Sequence, residues 1–365
     1  TKAFLKKKVK LILLLSTIIL SIFGIIMITS ASYIWAEYKF DDPFKFMKNQ
    51  TFFFLVGLIF MYITSKINYK LYYVYSSKLF GLVFFLLILV LIPGIGMVRN
   101  GSRSWFGIGS FGIQPSEFMK IAIIIFISKY ISKNRKELKL IFKGLVPILI
   151  VIFLVFGIIM LQPDFGTGII IVVISVGLIF TGGANIKFFL GLGLLGIGGI
   201  VTLILIAPYR LKRITSYLNP WSDPLGSGFQ IIQSLYAIGP SGLLGYGFGN
   251  SRQKHFYLPE PQTDFIFAII SEEFGFLGTI IVVSLFITII ASCLYISKKC
   301  DDLFGKFLSL GIGFWIGFQA ILNLMVVVGL IPVTGVTLPF LSYGGSSLLI
   351  LLIAIGIVLN ISNYI

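Results

Sequence analysis

Residues 11–29 read LILLLSTIILSIFGIIMIT, an uncharged and largely apolar run. A helix of about 20 such residues is long enough to cross the hydrocarbon core of a bilayer. Similar runs recur along the chain, and we predict ten transmembrane helices, at about 11–34, 50–65, 79–96, 115–132, 145–161, 166–181, 186–207, 263–297, 306–331 and 341–362. The predicted fold class is therefore all-α: a polytopic integral membrane protein with a single domain over residues 1–365 and one long extracytoplasmic loop.

The composition supports a membrane protein. The chain is 57% hydrophobic and only 12% charged, with a mean hydropathy of +1.02, whereas a soluble domain carries about 25% charged residues. Its net charge of +16 would suggest nucleic acid as a partner of a soluble protein. Here the charges lie in short segments between apolar runs, so we exclude nucleic acid. Topology signals, contact with membrane lipids and an anionic substrate remain as explanations.

The distribution of basic residues predicts the orientation. A lysine-rich segment precedes an apolar run that is longer than the core of a signal peptide, which indicates a retained signal anchor. With the N-terminus in the cytoplasm, 18 Lys and Arg residues fall on the inner side and 10 on the outer side. We therefore expect both termini to be cytoplasmic, which ten spans permit.

The longest connection between spans is predicted at residues 208–262, on the outer side. It is rich in Pro and Gly but also contains aromatic residues, so we expect short helices packed over the membrane surface. Five basic residues lie in it, against three carboxylates in it or at its edge. This excess of cations favours an anionic ligand such as phosphate, and simple contact with lipid headgroups is the alternative.

Several ionisable residues lie near the predicted outer ends of spans, where burial in lipid is costly. Glu117 and Lys120 share a helix face, so they form either a wall of an outward-facing cavity or a pair that only neutralises itself. Asp164 precedes a helix and could simply cap it. Asp264 opens the eighth span directly after the long loop, and the capping alternative applies there too.

Other features point to the same outer end. Glu272 lies about two turns deeper than Asp264, Glu273 points to the opposite side, and Lys120 is a candidate partner for one of these glutamates. Residues 332–347, which include Ser342, are dense in Pro and Gly, which favours irregular backbone along a wet cavity or, alternatively, an ordinary outer loop. Cys293 and Cys300 are too far apart along a helix for a disulfide.

Five motifs in order resemble those of the SEDS family (shape, elongation, division, sporulation). They are Arg103–Trp105 (RSW), Gln114–Glu117 (QPSE), Gln162–Thr167 (QPDFGT), Tyr257–Phe267 (YLPEPQTDFIF) and Pro339–Ser347 (PFLSYGGSS). The segment 251–264 is most similar to the SpoVE and FtsW branch, as distinct from the RodA branch.

The resemblance implies a ten-span peptidoglycan glycosyltransferase. Its substrate would be lipid II, a disaccharide-pentapeptide on undecaprenyl diphosphate, at the outer face of the bacterial cytoplasmic membrane, in cell division or sporulation. A class B penicillin-binding protein, a transpeptidase, would be its partner. The family pattern makes Asp264 the catalytic residue, places Glu117 and Lys120 in the same cavity, and makes Asp164 important.

Our mechanistic hypothesis is that Asp264 acts as the general base that deprotonates a sugar hydroxyl. Cations would then stabilise the diphosphate that leaves. The predicted substrate-binding residues are Arg103, Glu117, Lys120, Asp164, Arg210, Arg213, Lys254, Gln262, Glu272 and Ser342. No cofactor is certain. A divalent cation (Mg²⁺ or Mn²⁺) could share the task, although no cluster of metal ligands is evident.

Two other function classes remain open from the sequence. A lipid II flippase would also have broken helices and charged groups within the membrane, but no matching interruptions occur in the two halves of this chain. A non-catalytic scaffold that recruits a transpeptidase is the third class, and it predicts that Asp264 is dispensable.

Overall fold

The computed structural model describes residues 2–99, 101–108, 111–206, 217–226 and 228–365. Eleven α-helices lie within these ranges: α1 Lys2–Phe40, α2 Lys45–Lys66, α3 Lys70–Leu89, α4 Pro115–Asn134, α5 Val146–Leu161, α6 Phe165–Thr181, α7 Ile186–Ile206, α8 Phe229–Ile238, α9 Ile266–Lys299, α10 Leu303–Val327 and α11 Gly345–Ile361. All except α8 correspond to the ten predicted spans. By length and composition alone, seven helices of the described chain could cross a membrane.

The third span differs from its predicted position. Helix α3 covers Lys70–Leu89, whereas the hydropathy pattern placed this span at 79–96. The tyrosines and lysines at the start of α3 lower the local hydropathy, so the apolar run begins later than the helix; tyrosines are common where a span meets the lipid–water boundary. The chain then turns at Pro93 and Gly94, whose φ of +90° suits a glycine. The end of the apolar run is therefore a turn.

The two ends of the chain meet at one end of the helix bundle. Lys10 Nζ in α1 donates a hydrogen bond to Asn363 Oδ1, directly after α11, at 2.7 Å. Nearby, Asn360 Nδ2 donates to Ser65 O at 2.9 Å and Asn360 Oδ1 accepts from Tyr69 N at 2.9 Å. These contacts hold α11 against the junction of α2 and α3. Because the two termini lie at the same end of the bundle, the chain crosses the membrane an even number of times.

A small antiparallel sheet lies between α3 and α4 at the opposite end of the bundle. Its strands are β1 Met97–Arg99, β2 Ser102–Ile108 and β3 Phe111–Ile113, in the order β1-β2-β3. This sheet was not among the predicted elements. A hairpin could have been predicted, because the dipeptide at 100–101 is Asn-Gly, the strongest short-range indication of a hairpin.

The long segment after α7 packs on the helices, as expected, where the structure describes it. Helix α8 lies against α9 and α10, and Ser234 Oγ donates to Val327 O at 2.6 Å. Short 3₁₀ turns flank α8 at Pro220–Ser222 and Gly239–Ser241.

Helix α9 is broken at Gly275, whose φ and ψ are +62° and −159°. Residues 242–254, here called the strap, run beside the break. At the break, the N–H groups of residues 276 and 277 and the carbonyl groups of residues 272 and 273 bond to the strap and not to each other. The four bonds are Phe276 N to Gly242 O (2.9 Å), Leu277 N to Leu243 O (3.1 Å), Tyr246 N to Glu272 O (2.9 Å) and Gly247 N to Glu273 O (2.9 Å). A Cβ on Gly275 would lie 2.4 Å from Gly245 N, so this close approach requires glycine.

Candidate functional site

A cavity of about 830 Å³ opens at the end of the bundle away from the termini. The first residues of α4, α6 and α11, the last residues of α1 and the segments before α9 and α11 surround it. The charged residues that line it are Lys39, Arg99, Glu117, Lys120, Asp164, Glu260 and Asp264. Four carboxyl groups and three cationic groups therefore face one space.

Asp264 lies two residues before α9 and is partly buried. It does not cap the helix: the N-cap position belongs to Phe265, and no side chain makes a capping bond there. The pKa of Asp264 is raised to about 6: burial is the main cause, a hydrogen bond with Thr263 opposes the rise, and the neighbouring Glu260 adds to it. A half-buried carboxyl group with a pKa close to neutrality can both accept and release a proton.

Three successive carbonyl groups fix the backbone around Asp264. Tyr343 N donates to Gln262 O at 2.8 Å, Ser342 Oγ donates to Thr263 O at 2.6 Å, and Asn323 Nδ2 donates to Asp264 O at 2.7 Å. Ser342 Oγ also accepts from Leu338 N at 2.8 Å. The Ser342 hydroxyl is thus fully engaged with the backbone and does not line the cavity.

Glu117 and Lys120 form the deep wall of the cavity. Lys120 Nζ lies 2.8 Å from Glu117 Oε1, with both side chains buried, and 3.1 Å from Gln319 Oε1. Trp315 Nε1 donates to the same Gln319 oxygen at 2.8 Å. Glu117 Oε2 is buried and has no hydrogen-bond partner among the described residues. An unsatisfied buried acceptor costs about 1–3 kcal/mol, and Glu117 keeps it although its side chain lines the cavity.

Asp164 combines the two roles that the sequence left open. Its carboxylate caps α6 by accepting from Thr167 N at 3.3 Å, and Gln114 Nε2 donates to its other oxygen at 2.9 Å. The same side chain lines the cavity. Burial raises the pKa of Asp164, against the lowering effect of its bond with Thr167.

The cations of the cavity are not those expected from the sequence. Of the predicted basic residues, only Lys120 lines it, while Arg103 and Lys254 do not; Arg210 and Arg213 lie outside the described residues. Lys39 and Arg99 line the cavity instead. Lys39 does so because α1 continues past residue 34 to Phe40. Gln262, also predicted, lines the cavity as expected.

The hairpin explains why Arg99 and not Arg103 faces the cavity. Arg103 pairs with Val98 across the two strands, so these two side chains share a face of the sheet. Arg99, next to Val98 in the chain, points to the opposite face. The alternation within a strand could have separated the two arginines, had the hairpin been predicted.

A second buried cluster lies beside the strap. Lys254 Nζ is 3.2 Å from Glu273 Oε1, and Ser30 Oγ of α1 donates to the same oxygen at 2.7 Å. Glu272 accepts from Arg252 N at 2.9 Å and from the hydroxyl of Ser251. Lys120 pairs with neither glutamate, contrary to our expectation, because the strap supplies their partners. Glu272 and Lys254 therefore lie away from the cavity.

Three comparisons with known proteins extend over nearly the whole chain. The family model described as cell cycle protein, for FtsW, RodA and SpoVE, matches residues 10–365. Stage V sporulation protein E of Bacillus subtilis (strain 168) is 55% identical over 354 residues, which cover 97% of each chain. The probable peptidoglycan glycosyltransferase FtsW of Trichlorobacter lovleyi is 42% identical over 361 residues, 99% of this chain and 95% of that one.

Among solved structures, a chain from a peptidoglycan synthase complex that coordinates polymerization and crosslinking has the same fold. Its TM-score is 0.75 at 28% sequence identity, and the match covers 94% of this chain and 96% of that one. With its apolar helices, its cavity and a family match from residue 10 to residue 365, this chain is a multi-pass membrane protein that belongs to the FtsW, RodA and SpoVE family of cell cycle proteins.

Proposed function

We propose that this chain is a peptidoglycan glycosyltransferase that polymerises lipid II into glycan strands, in cell division or sporulation. The name of the FtsW relative supports the activity, and that of the stage V sporulation protein supports a role in sporulation. The observation that carries the proposal is the position of Asp264, a partly buried carboxyl group in a cavity whose wall also carries cationic side chains. Sugar transfer from a diphosphate needs both kinds of group.

In this proposal Asp264 is the general base. With a pKa of about 6 the carboxyl group is mostly ionised at neutral pH, and it remains basic enough to accept a proton in the transition state. Asp264 takes the proton of the GlcNAc 4-hydroxyl of one lipid II. That oxygen forms a bond to the anomeric carbon of the growing chain while the bond from this carbon to the diphosphate oxygen breaks, with inversion.

The leaving diphosphate carries away the electron pair and its negative charge. Lys39, Arg99 and Lys120 line the same cavity, and fixed cations in a site shielded from water stabilise charge that develops there. These residues replace Arg103 and Lys254 in our assignment. Glu117 holds Lys120 in place, and a small movement of its side chain would present its second oxygen to a sugar hydroxyl or amide.

The orientation follows from the distribution of charge. We place the cavity at the outer face of the bacterial cytoplasmic membrane and both termini in the cytoplasm, because the termini meet at the end of the bundle opposite the cavity and basic residues favour the inner side. We also propose a class B penicillin-binding protein, a transpeptidase, as partner. The relative from a peptidoglycan synthase complex supports a partner of this kind.

We assign no step to a divalent cation. Across the described ranges, no group of three or more His, Cys, Asp or Glu side chains is close enough to hold a metal ion. If Mg²⁺ or Mn²⁺ takes part, we propose that it enters with the diphosphate, since Mg²⁺ is often held by substrate phosphates and only one or two carboxylates.

The test is polymerisation of lipid II by the purified full-length chain, with and without its transpeptidase. We expect Asp264→Asn to lower the rate at least about a hundredfold, the lower end of the range for loss of a general base. Asp302→Asn is the matched control, because Asp302 caps α10 through Gly305 N at 3.0 Å and does not line the cavity.

Two results would contradict the proposal. Polymerisation by Asp264→Asn at the wild-type rate would exclude Asp264 as the base, and absence of polymerisation by the wild-type chain, with and without the transpeptidase, would favour a scaffold. Transfer of lipid II across vesicle membranes without any polymerisation would favour a flippase.

A further inference from the structure

Asn323 lies in α10, where it does not line the cavity, yet its amide touches two walls of it. Asn323 Nδ2 donates to Asp264 O at 2.7 Å and to Val336 O at 2.8 Å. The side chain is fully buried. One amide group therefore fastens the backbone of the proposed base to residues 333–337, which form the facing side of the cavity.

The backbone around Asp264 lies outside helix α9, and its local hydrogen bonds are turn bonds on either side, Thr263 N to Glu260 O (3.1 Å) and Ala268 N to Phe265 O (3.0 Å). Residues 261–265 form turns, and α9 begins only at Ile266. The carbonyl oxygens of residues 262 to 264 are bound instead by Tyr343, Ser342 and Asn323, from two other parts of the chain. The position of the Asp264 carboxyl group thus depends on donors that are remote in sequence.

We propose that Asn323 is a positioning residue for Asp264, with Ser342 in the same role one residue earlier. This inference rests on the proposed function, because it assumes that the Asp264 carboxylate acts on substrate. It also changes the meaning of Ser342, which the sequence analysis took for a substrate contact. A base misplaced by about 1 Å can cost a hundredfold in rate, so loss of the amide reduces turnover without removing any group that touches substrate.

Asn360 provides a matched control at the other end of the bundle. It is also a buried asparagine in a long helix, and its amide also bonds backbone groups of another element, Ser65 O and Tyr69 N, each at 2.9 Å. Asn323→Ala and Asn360→Ala each remove two such bonds. We expect similar falls in thermal midpoint, so that a difference in activity reports position and not overall folding.

The experiment measures kcat and KM for lipid II in both variants, together with amide hydrogen exchange of the peptide that covers residues 258–268. We expect Asn323→Ala to lower kcat by about tenfold to a hundredfold, with KM within about twofold because Asn323 is outside the cavity. Exchange in the 258–268 peptide rises. Asn360→Ala keeps kcat within about twofold and leaves that peptide unchanged. Ser342→Ala resembles Asn323→Ala with a smaller effect.

The inference fails if Asn323→Ala keeps its kcat while its thermal midpoint falls as in Asn360→Ala, because the amide is then only structural. It also fails if both variants lose kcat equally. Failure of the proposed function has a different signature: Asp264→Asn polymerises at the wild-type rate, whatever hydrogen exchange reports about residues 258–268.

Discussion

Two ion pairs of this protein are alike in charge and burial but differ in their surroundings. Glu117–Lys120 has a separation of 2.8 Å, and Lys254–Glu273 has one of 3.2 Å; all four side chains are at most 8% exposed. Glu273 Oε1 accepts from Lys254 Nζ at 3.2 Å and from Ser251 N at 3.4 Å, and the Ser30 hydroxyl lies within hydrogen-bond distance of both Glu273 oxygens. One oxygen of Glu117 has no hydrogen-bond partner among the described residues.

The difference separates a structural pair from a pair suited to ligand binding. The Lys254–Glu273 pair is enclosed by partners from α1 and the strap, and it fastens the strap to α1 and α9. Glu117 and Lys120 instead line a cavity, and the unsatisfied oxygen of Glu117 bears a cost that a ligand can offset if it reaches that oxygen. Burial and charge are the same for both pairs, so their other partners and the adjacent cavity distinguish them.

The largest effect is expected when the Lys254–Glu273 pair is broken. Lys254→Met leaves Glu273 buried without its cation, and removal of one partner of a buried pair costs about 3–5 kcal/mol. The fall in thermal midpoint of the purified protein measures it. The double variant Lys254→Met/Glu273→Gln should recover most of the stability and polymerise lipid II normally. A well-folded double variant without activity would return Lys254 to the functional site.

At the cavity we expect a smaller effect, which falls mainly on activity and not on stability. Lys120→Met should lower the rate of lipid II polymerisation by about a hundredfold, as for other groups that stabilise developing charge, and should cost less stability than Lys254→Met because Glu117 borders a cavity. The double variant Glu117→Gln/Lys120→Met should regain stability but not activity. If this double variant regained both stability and activity, the Glu117–Lys120 pair would be structural, like the Lys254–Glu273 pair.

The smallest effect concerns pH. Asp264 has a pKa of about 6, and a base acts only when it is deprotonated, so the rate falls as pH falls through this value. We expect kcat/KM, which reports the pKa of the free enzyme, to be about half its plateau near pH 6. The thermal midpoint at the same pH shows whether the protein remains folded. An acid limb near pH 4, the ordinary range of an Asp, would mean that the Asp264 carboxyl group is not buried in the free enzyme.

Several features of the site could be predicted from the sequence because they depend on local spacing. Glu117 and Lys120 are three residues apart in a helix, which places them on one face, and their pairing follows. Asp164 precedes an apolar run, and its capping of α6 follows equally. Lys39 was missed because hydropathy ends a span where charge begins, whereas the helix continues beyond the lipid to Phe40.

Contacts between distant segments were not predictable in the same way. Lys254 and Glu273 are 19 residues apart, and Asn323 and Asp264 are 59 apart. Local periodicity carries no information about such pairs, because they depend on which helices become neighbours. The partner assigned to the glutamates was wrong for this reason: nothing in a helical pattern indicates that the strap enters a break in α9.

The sequence by itself determined that this chain crosses a membrane many times, because apolar runs of this length have no other stable solvent. It also determined which carboxyl groups border the helix ends. Only the tertiary structure decided which charged residues line the cavity, which are paired with other residues away from it, and which donors hold the backbone of Asp264. The physical reason is that transfer free energy acts on each segment separately, whereas hydrogen bonds between segments exist only after the helices have packed.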